Sequence, residues 1–139
     1  MYSLSPTTSA WSAHLFYLHW RYTMDERFLR ERAYPWCREV GNCMRSLLHP
    51  NDNGVLVLPL SSSPEIFDNS LRAWLTPNSN YDRDSMEALF LGLADMAGAL
   101  RKPQEARDWN ALAAGIGARI RLTISGQPVQ EREITVGGH

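Results

Sequence analysis

The stretch "NYDRDSMEALFLGLADMAGALRKPQEARDWNALAAGIGARI" (residues 80–120) decides the fold class. Met86, Leu89, Phe90, Leu93, Ala97 and Leu100 recur at i, i+3, i+4 and i+7 intervals, the spacing that puts side chains on one face of a helix. Trp109, Leu112, Ala113, Ile116 and Ile120 repeat the pattern after a short "RKP" connection. Pro103 suits a first helical position because its missing N–H has no partner there anyway. Asn80 is a good N-cap residue. Together these signals predict helices over 81–100 and 103–122, joined as an αα-hairpin.

Upstream, "SAWSAHLFYLHWRY" (residues 9–22) also reads as a helix. Trp11, Leu15, Leu18 and Tyr22 form one stripe, and Phe16, Tyr17 and Trp20 occupy the other side. A helix apolar nearly all round is expected to be enclosed by neighbours. Thr23 followed three residues later by Glu26 gives a capping-box pattern, which predicts a second helix over 25–48. Its expected stripe is Trp36, Val40, Cys43, Met44 and Leu47. Pro35 falls inside it, where a kink or a fresh first turn is expected. "HPNDNG" supplies turn residues, with Gly54 able to take a positive φ. "VLVLP" reads as one short strand. Residues 59–80 form a long loop, the kind that is often functional when ordered. The tail after residue 122 loses periodicity.

Composition bounds the function. A formal net charge of −1 over 139 residues, without a block of like sign, gives no electrostatic footprint for nucleic acid. No apolar run reaches the length of a membrane span. The opening "MYSLSPTTSAW" lacks the basic start and apolar stretch of a signal peptide. The expected location is therefore cytoplasmic, or secreted or periplasmic if an upstream signal peptide exists. Cys37 and Cys43 match no zinc or CxxC spacing and read as packing. His14 and His19 are five apart and do not share a face as i, i+4 ligands would. No metal and no cofactor are expected. Serines 61–63 lack a GxSxG context, so they are not read as nucleophiles.

The order of several segments resembles the catalytic module of glycoside hydrolase family 95, the α-L-fucosidases with an (α/α)6 barrel. The segments are "AWSAHLFYLHWRYT", "DERFLRERAYPW", "NGVLVLPLSSSPE", "NSNYDRDSMEALF" and "GQPVQE", spanning about residues 9–131. The resemblance implies an all-α fold of tandem αα-hairpins, with residues 1–139 as a fragment of a six-hairpin toroid. It implies cleavage of α-L-fucosyl or related L-sugar linkages by inversion, on an oligosaccharide or glycoconjugate substrate. Glu65, at the end of the "SPE" step, matches the position of the general acid. The family's asparagine-rich motif and the aspartate that works with it have no match in these residues, so the chain alone is expected to be inactive.

Glycoside cleavage needs a proton for the departing oxygen and water or a carboxylate on the opposite face. Glu65 sits between Pro64, which restricts the backbone, and the drying side chains Ile66 and Phe67. That setting suits an acid, and it also suits an ordinary loop. Asp82 is either a first-turn charge on a helix dipole or an acceptor for sugar hydroxyls. His19 fits the family pattern as the histidine that would reach the cleft, and a satisfied core histidine is the equal alternative. Trp11, Trp20 and Trp74 are candidate platforms for a sugar ring, although helical spacing favours core packing for Trp11 and Trp20, and Trp74 stands apart because it lies in the long loop near Glu65. Two other readings remain open: a non-catalytic hairpin module that binds another protein, and an inactive remnant. Hairpins taken out of a closed ring would expose apolar faces, so self-association is expected.

Overall fold

The computed structural model describes residues 6–61, 79–118, 123–124 and 127–128. The fold is all-α. Helix α1 spans Thr8–Thr23, and a short α2 spans Glu26–Phe28. A π turn over Leu29–Ala33 leads directly into α3, Tyr34–Leu47. A two-residue β1 (His49–Pro50) pairs with β2 (Leu56–Val57). Then come α4 (Asn80–Ala99), α5 (Pro103–Gly115) and a second small antiparallel pair, β3 (Thr123–Ile124) with β4 (Gln127–Pro128). No described helix is long and apolar enough to cross a membrane.

Helices α4 and α5 make the predicted hairpin. Met86, Leu89, Phe90, Leu93 and Ala97 are buried on α4, and Trp109 and Ala113 are buried on α5. The Phe90 and Trp109 rings stack with centroids 6.0 Å apart. The expected start at Asn80 moves by one residue. Ser79 is the cap, its hydroxyl accepting the Asp82 N–H at 3.2 Å. The helix predicted to run to 122 ends at Gly115, and Ile116 turns extended to bridge Leu56. A side chain at Gly115 would meet Leu56 Cδ1 at 2.8 Å, so the strand occupies the space a continuing helix would need.

The second helix differs from expectation at its start and in its stripe. Thr23 closes α1, its hydroxyl donating to the His19 carbonyl at 2.9 Å. Asp25 is the real N-cap, accepting from the N–H groups of Arg27 (2.8 Å) and Phe28 (3.0 Å). Pro35 cannot donate to the Glu31 carbonyl. The π turn just before it takes up the irregularity, with the Tyr34 N–H reaching the Leu29 carbonyl. The buried face of α3 is Cys37, Val40, Gly41 and Met44, whereas Trp36 and Cys43 are exposed. Gly41 explains the rotation. A Cβ there would lie 2.5 Å from Leu93 Cδ1 and 3.1 Å from Trp109. The smallest residue of α3 is therefore its point of closest approach to the hairpin.

Small residues also seat α1. Ala10, Ala13 and Trp20 are buried, and Tyr17 packs over Gly92, where a Cβ would approach its ring to 3.3 Å. The expected enclosure of α1 is not seen among the described residues: Trp11, Leu15 and Tyr22 are 58%, 55% and 85% exposed. Periodicity alone could not choose between two apolar faces. Close approach to α3 and α4 selects the one built on alanine. Tyr17 and Arg21 then fasten α1 to α4 by donating to Asp95 at 2.9 and 2.8 Å.

Between α3 and the 59–80 segment, the turn is made as its residues suggest. Asn51 Oδ1 accepts from the N–H groups of Asn53 and Val55, both at 3.0 Å. Gly54 takes φ +77°. Within "VLVLP" only Leu56–Val57 pairs as a strand, and Leu58 enters the core.

Candidate active site

The first turn of α4 carries the most enclosed polar cluster of the described residues. Asp82 is wholly buried, and Thr7, Ser61 and Ser79 around it are 0%, 1% and 8% exposed. Thr7 Oγ1 donates to Asp82 Oδ1 at 2.5 Å. Ser61 Oγ donates to Oδ2 at 2.7 Å, and Ser79 Oγ donates to the same oxygen at 3.2 Å. Ser61 Oγ in turn accepts the Ser79 N–H at 2.7 Å. Burying such groups is costly unless they are paired, and here each hydroxyl has a partner.

The local reasons for this convergence are separate. Ser79 and Asp82 are the N-cap and N3 positions of α4, where a carboxylate also suits the positive end of the helix dipole. Ser61 follows Leu58, which anchors the end of the β2 segment in the core. Thr7 precedes α1; its carbonyl accepts the Trp11 N–H at 3.0 Å, and its hydroxyl turns to Asp82 instead of capping its own helix. Three chain segments distant in sequence therefore meet at one carboxylate.

The expected site residues are distributed unevenly around this point. Glu65 and Trp74 lie outside the described residues. Asp82 is at the centre, its oxygens facing protein hydroxyls. Trp11 is exposed one turn into α1, near the Thr7 end. His19 is exposed two turns further along, its ring 4.4 Å from that of Phe28. At about 1.5 Å per residue, Trp11 and His19 are roughly 12 Å apart along the axis, so they do not form one contact with Asp82. The hydroxyls of Thr7, Ser61 and Ser79 were not anticipated. The spacing of Ser79 and Asp82 is a capping pattern that could have revealed one of them. Nothing in the sequence pointed to Thr7.

Two clefts elsewhere are small. One, about 100 Å³, is lined by residues including Trp20, Leu29, Arg30 and Leu100. The other, about 130 Å³, is lined by residues including Arg38, Arg45, Glu105 and Trp109. Ligand pockets are usually about 300–1,000 Å³, so neither is sized for an oligosaccharide. Beside the second cleft, Tyr34 donates to Glu105, which also receives Lys102 Nζ at 2.7 Å. The Tyr34 hydroxyl is pushed up to about 12 by burial and by that bond. Glu105 is held below its ordinary range by Lys102 first and Tyr34 second. This group joins α3 to α5.

The family model for the glycosyl hydrolase family 95 catalytic domain matches residues 1–131. The chain belongs to glycosyl hydrolase family 95. Among curated proteins none matches it. Family membership makes the chain glycoside hydrolase sequence and its substrate a carbohydrate. It also gives the Asp82 cluster a place: within family 95 sequence, the cluster joins the two residues, Ser61 and Ser79, that flank the segment containing Glu65.

Proposed function

We propose that this family 95 chain forms part of an inverting α-L-fucosidase in which Glu65 is the general acid. The observation that carries the reading is the family match over residues 1–131, with the "SPE" step of the sequence falling inside it. In the proposed reaction Glu65 gives its proton to the glycosidic oxygen as the C1–O bond breaks. Water adds to C1 from the opposite face, and its proton passes to a base supplied by the rest of the catalytic domain. The freed sugar carries inverted anomeric configuration, and Glu65 regains a proton from solvent.

The same reading places the helices in a six-hairpin toroid. The outward face of α1, with Trp11, Leu15 and Tyr22, is then a seat for a neighbouring hairpin, and Trp11, His19 and Trp74 are candidate sugar contacts. An apolar patch of this kind also favours self-association when its neighbour is missing.

The test is Glu65→Gln in the natural polypeptide containing this chain, assayed on an α-L-fucosyl disaccharide. A general acid contributes about 10²–10⁴-fold, so a loss of that size supports the assignment. Unchanged turnover contradicts it.

A further inference from the structure

We propose that the cleft between α3 and α5 binds one neutral sugar ring, at a place separate from the Asp82 cluster. The proposal rests on membership of a carbohydrate-acting family and not on the reading of Glu65.

Two helix faces make the cleft. Arg38, Asn42 and Arg45 stand at i, i+4 and i+7 on α3, and Glu105, Asp108 and Trp109 stand at i, i+3 and i+4 on α5. Each set shares one side of its helix. The α3 wall therefore offers N–H donors, and the α5 wall offers carboxylate acceptors. Trp109 forms the floor between them and is held from several sides. Its ring stacks on Phe90 with centroids 6.0 Å apart, and its Nε1–H donates to the Tyr34 hydroxyl at 3.5 Å. The Arg45 guanidinium carbon lies over the same ring, 5.9 Å from its centroid.

Opposite charges on facing walls would be expected to close such a gap. Among the described residues no ion pair crosses it. Each charge is met by a neighbour in sequence instead: Arg38 by Glu39 at 3.2 Å, and Glu105 by Lys102 at 2.7 Å. Asp108 accepts from Gln104 Nε2 at 2.8 Å. The side chains of Asn42 and Arg45 make no hydrogen bond among the described residues. The cleft stays open, with hydrogen-bonding capacity on both walls.

These walls define the ligand. An anion drawn to the α3 wall is repelled by the α5 wall, and a cation meets the reverse. A neutral ring of hydroxyls suits both, because a hydroxyl donates to a carboxylate and accepts from a guanidinium or an amide. Size agrees with one ring. The cleft is about 130 Å³, and a cavity of about 150 Å³ holds a single six-membered ring. Any attached sugars would lie in solvent. The cleft shares no residue with the Asp82 cluster. Phe90, on which its floor rests, is about 12 Å further along α4 than Asp82.

The test is isothermal titration of the natural polypeptide containing this chain with L-fucose, D-galactose, glycine and acetate. Arg45→Met and Asn42→Leu alter the cleft, and Arg32→Met removes an exposed arginine outside it. At least one of the sugars is expected to bind with a Kd of about 1–10 mM, the scale of a single ring in an open cleft. Arg45→Met should weaken that binding about 10- to 100-fold and Asn42→Leu about 2- to 10-fold, with Arg32→Met unchanged. Sugar held at the proposed catalytic site would add a second event that ignores these substitutions, so the two sites are separable.

Identical sugar isotherms for wild type, Arg45→Met and Asn42→Leu would overturn the proposal. Uptake of glycine or acetate without either sugar, lost in the same variants, would make the cleft a site for a zwitterion or an anion and overturn it equally. Arg45 is exposed and Asn42 half-buried, so both variants are expected to fold. If Asn42→Leu does not, Arg45→Met decides alone. No outcome depends on turnover, so each stands whether or not Glu65 is the acid.

Discussion

Ser61 Oγ accepts the Ser79 N–H at 2.7 Å while donating to Asp82 Oδ2 at the same distance. One hydroxyl thus links the end of the β2 segment to the start of α4 across 18 positions of sequence. This link gives the Asp82 cluster two tasks, starting a helix and joining the ends of the segment that contains Glu65.

The first task is measurable as stability. Ser79→Ala removes a side-chain cap and should cost about 0.5–2 kcal/mol. Asp82→Ala strands the hydroxyls of Thr7, Ser61 and Ser79 in a dry site, at about 1–3 kcal/mol for each group left unpaired. Urea unfolding should therefore rank Asp82→Ala well below Ser79→Ala. Equal midpoints would show that the cluster adds nothing to an ordinary cap.

Two glycines should respond in opposite directions. Gly41→Ala forces a methyl against Leu93 and Trp109, an overpacking change expected to destabilise by about 1–3 kcal/mol. A methyl added at Gly98, on α4, would meet nothing within 4 Å, and the backbone there has no positive φ. Gly98→Ala should stabilise by about 0.5–1 kcal/mol. Thermal unfolding of the two variants would check the contrast, and a stabilising Gly41→Ala would contradict the packing described for α3.

The cysteines should differ in reactivity. Cys37 is buried, with Sγ donating to the Ala13 carbonyl at 3.4 Å, while Cys43 is exposed. Labelling with a maleimide under native conditions should modify Cys43 rapidly and Cys37 only on unfolding. Comparable rates at both would place Cys37 at the surface.

Alkaline pH should weaken the fold. Burial pushes the Cys37 thiol up to about 12, and burial together with Glu105 does the same for Tyr34. Both groups hold their protons more tightly in the folded state. Their contributions are complete below the unfolded values and are lost as pH rises toward about 12, because the unfolded chain ionises first. Glu105 acts in the opposite sense: its lowered value favours the folded state above the carboxylate range, and that contribution fades as pH falls. Unfolding midpoints measured from pH 9 to 12 should decline, and should decline less in Cys37→Ala relative to its own value at pH 8.

The hairpin of α4 and α5 was legible because each helix carries a regular apolar stripe and Pro103 marks the start of the second. The faces of α1 and α3 were harder to read. In α1 both sides are apolar, and the face chosen is set by Ala10, Ala13 and Gly92, which matter for their small size. In α3 the deciding residue is Gly41, which carries no hydropathy signal at all. The end of α5 depends on Leu56, distant in sequence, occupying space beside Gly115. Of the cluster at Asp82, only the first-turn aspartate itself was legible as a local motif. The meeting of Thr7, Ser61 and Ser79 at Asp82 is a tertiary event, and only the capping pair leaves a trace in sequence spacing.

The most direct measurement of the central claim is the anomeric form of the sugar first released by the natural polypeptide. An α-L-fucosyl disaccharide would be followed by proton NMR from the earliest minutes, with Glu65→Gln alongside. The account predicts β-L-fucose appearing before mutarotation, and its release falling sharply in the variant. Initial release of the α anomer would contradict inversion. Equal release by wild type and Glu65→Gln would remove Glu65 from the acid's role.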